Sequence, residues 1–220
     1  MKIAYLYYDL LNLYGESGNI KMIDKILTDN KIKHEILYLS LEDKLKFKDY
    51  DLVYIGSGTE TNQLIALENL KKYKKDIKKY IEDGKFFLAT GNSVDFFGKS
   101  IEREEKYDAL NIFDYKIKNE TRKMQDVCIK SNLKIKDIYG FINNSSSISN
   151  NKKYLFDKEG VHYNNFYGTY ILGPILVRNP EFLKHFMDKL TGKKLKYDLK
   201  NEIKAYELFV ERFKNHGVNQ

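Results

Sequence analysis

The stretch KFFLATGNSVDFFGKS, residues 85–100, reads as an apolar strand that passes through a tight turn into a helix. In α/β enzymes a nucleophile can stand on such a turn, lifted clear of both elements. The turn here offers Gly91, Asn92 and Ser93. Ser93 begins as the Gly-x-Ser of a hydrolase elbow, but the fifth position is Asp95 and not the glycine that lets the helix approach its strand. It is read as a turn serine, with a hydrolase nucleophile as the alternative. Cys128, the one cysteine, lies in the strand-like MQDVCIK, where a lone thiol behaves as a small apolar group. His34, His185 and His216 are widely separated and show no ligand spacing with acids, so no metal is expected. GSG at 56–58 precedes a helical pattern and could cradle a phosphate, yet it lacks both Gly-x-Gly-x-x-Gly and a P-loop lysine.

The elements that must position these residues alternate. KIAYLYY (2–8), HEILYLS, YDLVYIGSG and KFFLAT are strand candidates. NIKMIDKILTDN (19–30) carries Ile20, Ile23, Ile26 and Leu27 at helical spacing, and the run from Thr61 to Asp83 is helical and stopped by Gly84. Alternation of strand and helix predicts a mostly parallel sheet covered on both faces. After Gly98, ALNIFDYKI, MQDVCIKSN and DIYGFINN read as consecutive strands, an antiparallel extension. IEREEK (101–106) reads as an exposed helix end or loop, residues 145–160 as a loop or hairpin, and FYGTYILGPIL as a further strand. Two helices close the chain, one with Pro180 in its first turn. In the other, Ile203, Tyr206, Leu208, Phe209 and Phe213 can form a buried face.

Composition sets the class. A chain of 220 residues with 42% hydrophobic content is enough for one substantial core, so residues 1–220 are expected to form a single domain. The net charge of +7 is dispersed along helical stretches such as LKKYKKDIKKYIEDGK, which argues for a solvated face and against nucleic acid. One cysteine leaves no disulfide framework. No apolar run approaches the ~18 residues of a membrane span, and the start shows no signal-peptide pattern, so a cytoplasmic location is expected.

Four stretches resemble the class I glutamine amidotransferases of the cobyric acid synthase branch, and within it the glutaminase subunits of lipid II isoglutaminyl synthases. DLLNLYGESGN (9–19) is similar to that family's opening Asp-Leu-Leu-Asn-Leu-Tyr-Gly-x-x-Gly-Asn. IGSGTETNQ (55–63) resembles its glycine-rich turn after the third strand, and GFINNSSS (140–147) its Gly-Phe-Glu-Asn-His-x-Gly. GVHYNNFYGTYILGPILVRNPEF (160–182) follows its Gly-Val-x-Tyr-x-Asn-x-x-Gly-Thr-Tyr-Leu-His-Gly-Pro.

The resemblance implies a flavodoxin-like α/β fold, no cofactor, and a glutamine pocket whose oxyanion turn is shaped by Gly56 and Gly58 with Asn92 and Ser93 beside it. The family's cysteine attacks the glutamine amide, a histidine relays the proton to ammonia, and backbone N–H groups hold the oxyanion. Its Cys-Gly-Gly-Tyr-Gln-Leu-Leu-Gly lies over GNSVDFFG, which puts Gly91 at the cysteine position. Its histidine falls on Leu172. His162, ten residues earlier, is expected to be a surface or loop residue. The implied reading is a glutaminase fold without glutaminase chemistry, acting as a subunit that binds a Mur-ligase-like protein in peptidoglycan amidation. Two alternatives stay open: an enzyme using an unexpected nucleophile, and a protein that binds glutamine or a related small ligand.

Overall fold

In the computed structural model, which describes residues 1–215, side-chain alternation along the central strands sorts the core into two halves. Ile3 and Tyr5 of β1 (Lys2–Leu6) join one apolar cluster, while Ala4 and Leu6 join another. The same division runs through β3 (Leu52–Ile55) and β4 (Phe86–Thr90). Helices α2 (Glu60–Lys71) and α3 (Lys74–Glu82) cover the face that carries Ala4 and Leu6. Helices α1 (Ser17–Asp29) and α5 (Pro180–Thr191) cover the other.

With β2 (Glu35–Leu39), β9 (Val161–Tyr163) and β10 (Phe166–Thr169), these strands form one sheet in the order β2-β1-β3-β4-β10-β9. All its pairings are parallel except β10 with β9. A second sheet holds β5 (Ser100–Glu102), β6 (Lys106–Asp108), β7 (Lys116–Ile129) and β8 (Ile138–Ser149), in the order β6-β5-β7-β8. Its long antiparallel pair β7–β8 carries an irregularity between Asn119 and Lys123. This is the mostly parallel α/β architecture with an antiparallel extension that the sequence predicts.

Several expectations change. The helical run from Thr61 to Asp83 is two helices, because Tyr73 leaves helical geometry at φ −106°, ψ 10° and packs its ring 6.1 Å from Phe47. The first residues of ALNIFDYKI form no strand. The N–H groups of Leu110, Ile112 and Phe113 are taken by carbonyls of Phe96 and Phe97, so the segment wraps the elbow turn. IEREEK is a hairpin, β5 turning into β6 through Arg103–Glu105. Residues 145–149 extend β8, pairing with the start of β7. Leu208 of α6 (Lys200–Asn215) is 51% exposed, whereas Tyr206, Phe209 and Phe213 pack edge-on around Tyr139. His162 lies in edge strand β9 with its ring 4.9 Å from Tyr167, partly buried and not on a surface loop. His216 lies outside the described residues.

Candidate functional site

Four turns meet where β1, β3, β4 and β10 end. In an open parallel sheet ligands bind beyond these carboxyl ends, near the point where strand order reverses. Here the reversal falls at β1, which has β2 on one side and β3 on the other.

The turn after β4 is the elbow. Gly91 takes φ +63°, the left-handed region that glycine enters without cost and that a nucleophile elbow uses. The segment that follows, Gly91–Phe97, is wound as a 3-10 helix. A Cβ built on Gly91 would lie 2.4 Å from Ser57 Cβ, 2.4 Å from Ser57 Oγ and 2.8 Å from Leu172 Cδ2. Gly91 and Leu172, far apart along the chain, therefore face each other across a contact. Leu172 is only 2% exposed and is fixed by paired backbone hydrogen bonds to Phe141 of β8. Ser57, which the sequence does not single out, is the other neighbour that a Cβ on Gly91 would meet.

The turn after β3 must be made of glycine for steric reasons. A Cβ on Gly56 would lie 2.4 Å from the Leu11 carbonyl oxygen, and one on Gly58 2.8 Å from that of Leu10. The loop after β1 is thus laid directly on this turn. Asn92 joins the two turns: the Gly58 N–H donates to its Oδ1 at 3.1 Å, Ser57 Oγ donates to the same oxygen at 3.2 Å, and its Nδ2 donates to the Gly58 carbonyl at 2.8 Å.

Ser93 does not face this space. Its side chain is buried and its Oγ donates to the Thr90 carbonyl at 2.9 Å and lies 3.3 Å from that of Ile55, so it caps the strand end, and its partners among the described residues are backbone carbonyls. Gly56 is buried beneath the turn, and neither it nor Ser93 lines the adjoining cavity, unlike Gly58 and Asn92.

That cavity, of about 170 Å³, is bounded by Tyr14, Thr59, Asn92, Arg103, Arg122 and Asn144, among others. Arg122 is paired with Glu60, and Asn143 Nδ2 donates to Tyr14 Oη at 2.7 Å. Asn144 folds on itself, bonding the N–H and carbonyl of Ser146. Arg103 enters from the β5–β6 turn, donates to Gln63 and lies 3.9 Å from Asp95. Asp95 is fully buried. Tyr170 Oη at 2.6 Å, Gln63 Nε2 at 2.9 Å and Ser146 Oγ at 3.2 Å donate to it. Burial pushes its carboxyl above the ordinary range, and these donors with Arg103 pull part of the way back. No sequence motif pointed to Arg103; charge in an exposed-looking hairpin gives no hint of which side chain turns inward.

Beneath the site lies a second buried carboxyl. Glu16, in the loop after β1, accepts hydrogen bonds from Tyr54 and Thr90. Asn19 donates to Tyr54 Oη at 2.9 Å and accepts from the Leu176 N–H at 3.0 Å. Burial pushes Glu16 up to about 7 despite the Thr90 and Tyr54 hydrogen bonds. This arrangement accounts for the otherwise odd DLLNLYGESGN: its polar residues tie Tyr54 of β3 and Thr90 of β4 to α4 (Ile175–Arg178).

Residues 2–180 match the CobB/CobQ-like glutamine amidotransferase domain. The chain belongs to that family. It is 28% identical to the lipid II isoglutaminyl synthase (glutamine-hydrolyzing) subunit GatD of Staphylococcus aureus strain N315, across 96% of this chain and 96% of that protein. The Streptococcus pneumoniae GatD (strain ATCC BAA-255 / R6) is 29% identical across 94% of this chain and 86% of its own. A glutamine amidotransferase crystal structure superposes with a TM-score of 0.60 at 12% identity, covering 86% of this chain and 98% of that one. PurLQS from Thermotoga maritima does so at 0.50 and 15%, covering 95% and 98%. At such identities these superpositions speak for the fold alone.

Elsewhere in this CobB/CobQ-like domain, the chemistry-bearing side chains stand apart. Cys128 is on β7, with Sγ 3.9 Å from Asp137 and its thiol pushed up by burial, the reverse of what activates a nucleophile. His34 bonds Asp24 at 2.7 Å near the far end of β2, and His185 sits on α5. Among the described residues no group of three or more His, Cys, Asp or Glu is placed to hold a metal ion, and no helix is long and apolar enough to cross a membrane.

Proposed function

We propose that this CobB/CobQ-like domain is a non-catalytic subunit of a lipid II amidating complex, or of a paralogous one, and binds a Mur-ligase-like protein through its retained surface. The contact between Gly91 and Leu172 carries the reading. The two positions that the family resemblance assigns to nucleophile and base are neighbours in space, and neither side chain can attack an amide or carry a proton. Ser57 and Leu172 also occupy the volume a thiol would need. Residues 1–220 then act as one domain in the cytoplasm, with ammonia coming from outside or with a structural role alone.

Affinity purification of the tagged protein from its own cells tests the partnership. A Mur-ligase-like chain recovered in near-equal amount supports it, and none recovered argues that the partnership has lapsed with the chemistry. Glutamate release from glutamine, measured on the chain alone and with the recovered partner, tests the loss of catalysis. Release that disappears in Ser93→Ala or Cys128→Ala would replace this reading with an enzyme using that residue. A second reading is favoured by Arg103 and Arg122 on the wall of the polar cavity: a small ligand could still bind there. Calorimetry with glutamate and glutamine tests it, with flat heats at millimolar ligand arguing against.

A further inference from the structure

The side chain of Asn92 ends in a primary carboxamide, the same chemical group that ends glutamine. It does not project into solvent. It lies against one residue and pairs with the two peptide groups that flank it, accepting from the Gly58 N–H at 3.1 Å and donating to the Gly58 carbonyl at 2.8 Å. Ser57 Oγ adds a second donor to the same oxygen at 3.2 Å. The backbone that carries this side chain is held as well, since Gln63 donates to the Asn92 carbonyl while its other contacts run to Asp95 and Arg103. Gly58 and Ser57 are part of the wall of the polar cavity, so the group they hold stands where a ligand entering that cavity would arrive.

We infer that Asn92 is an internal ligand: its carboxamide fills the subsite beside the elbow that fits a primary amide and excludes glutamine and other free primary amides from it. The physical reason is tethering. A carboxamide one residue from the elbow glycine competes at an effective concentration far above the millimolar range of a free metabolite, and has lost most of its freedom on folding. A free amide must displace it and still leave the Asn92 carboxamide with new partners, or bear the cost of unpaired buried polar groups. The resemblance places glycine at this position, and a glycine would leave the Gly58 N–H and carbonyl open to the cavity.

The inference deepens the non-catalytic reading of the same site and fails separately from it. Hydrolysis of glutamine by the unaltered chain would sink the reading; the behaviour of Gly58 decides the plug. The experiment compares the full chain with Asn92→Gly, Asn92→Ala and Asn92→Asp by amide hydrogen exchange at Gly58 and by calorimetry with L-glutamine. Asn92→Gly and Asn92→Ala are expected to exchange Gly58 roughly tenfold faster, one hydrogen bond's worth. Asn92→Asp, which keeps the acceptor, is expected to stay near the unaltered rate. L-glutamine is expected to give no heat with the unaltered chain and to bind at least one of the two truncated variants. Unchanged Gly58 exchange in both truncations overturns the inference. So does L-glutamine binding to the unaltered chain as tightly as to the variants, or faster exchange with no gain in binding.

Discussion

Substitution of Gly91 by alanine adds one methyl group to the elbow, and its cost divides into two parts that the structure keeps separate. The first is backbone. At φ +63° an L-residue brings Cβ against the following carbonyl, about 1–2 kcal/mol for a non-glycine residue. The second is steric. The new Cβ lies 2.4 Å from both Ser57 Cβ and Ser57 Oγ, which cannot retreat because Ser57 stands on a turn laid against the Leu11 carbonyl. Leu172 Cδ2, at 2.8 Å, is the end of a flexible side chain and can give way. Overpacking of this kind costs about 1–3 kcal/mol.

Gly91→Ala is therefore expected to cost about 2–5 kcal/mol in the unaltered chain, a fall of roughly 2–4 °C in Tm per kcal/mol for a domain of this size. In a Ser57→Gly background the steric part vanishes and the backbone part remains. Urea denaturation of the four proteins of this cycle, with m-values checked for constancy, isolates the coupling between the sites. The expected coupling is about 1–3 kcal/mol. A cost for Gly91→Ala that is the same in both backgrounds, within about 0.5 kcal/mol, would refute the claim that Ser57 closes the space above Gly91.

Three further outcomes follow from the same geometry. Glu16 and Glu159, the latter accepting from Thr169 Oγ1 and the Tyr170 N–H at the end of β10, are buried and pushed up to about 7 from an ordinary value of 4.5, so between these values they hold protons that the unfolded chain has released. Stability from these two groups is therefore greatest below pH 4.5 and falls as pH rises toward 7, by about 3 kcal/mol per group; Glu16→Gln should flatten half of that slope in denaturation midpoints taken from pH 4.5 to 8, and an unchanged slope would show that Glu16 does not titrate in this window. Asn19→Ala strands the buried Leu176 N–H and loosens Tyr54, so it should cost about 2–3 kcal/mol by urea denaturation, and less than 0.5 kcal/mol would mean that the motif is not a structural tie. Gly91→Cys combined with Leu172→His is expected to release no glutamate from glutamine above a protein-free blank, because Ser57 still crowds the thiol and Asn92 still holds the Gly58 backbone; release that requires both substitutions would show that these two positions stand in working geometry.

Local pattern carried the first half of the chain well for a physical reason. In β1, β3 and β4 and the helices between them, the apolar spacing that fixes the element is the same spacing that buries it, so local preference and tertiary demand agree. The agreement weakens after Gly98. Ala109–Asp114 is apolar enough for a strand, yet the N–H groups of residues 109–113 are claimed by the carbonyls of Phe96, Phe97, Gly98 and Lys99. The serines of 145–149 look like loop and are drawn into β8 because β7 offers them a partner. Pairing partners distant in sequence leave no local trace.

The site shows the same division. The family resemblance singled out Gly91 and Leu172, and residue type alone fixes what each offers there, a hydrogen atom and an isobutyl group. That the two positions touch was decided by the meeting of the β4 and β10 ends, and so was the crowding of Gly91 by Ser57. The inward turn of Arg103 toward Asp95, the burial of Ser93 away from the cavity, and the folding of Asn92 onto Gly58 are likewise tertiary facts. Each depends on which donor or acceptor another segment leaves within about 3 Å. Sequence determined which side chains stand at the elbow; three-dimensional packing decided what each of them touches.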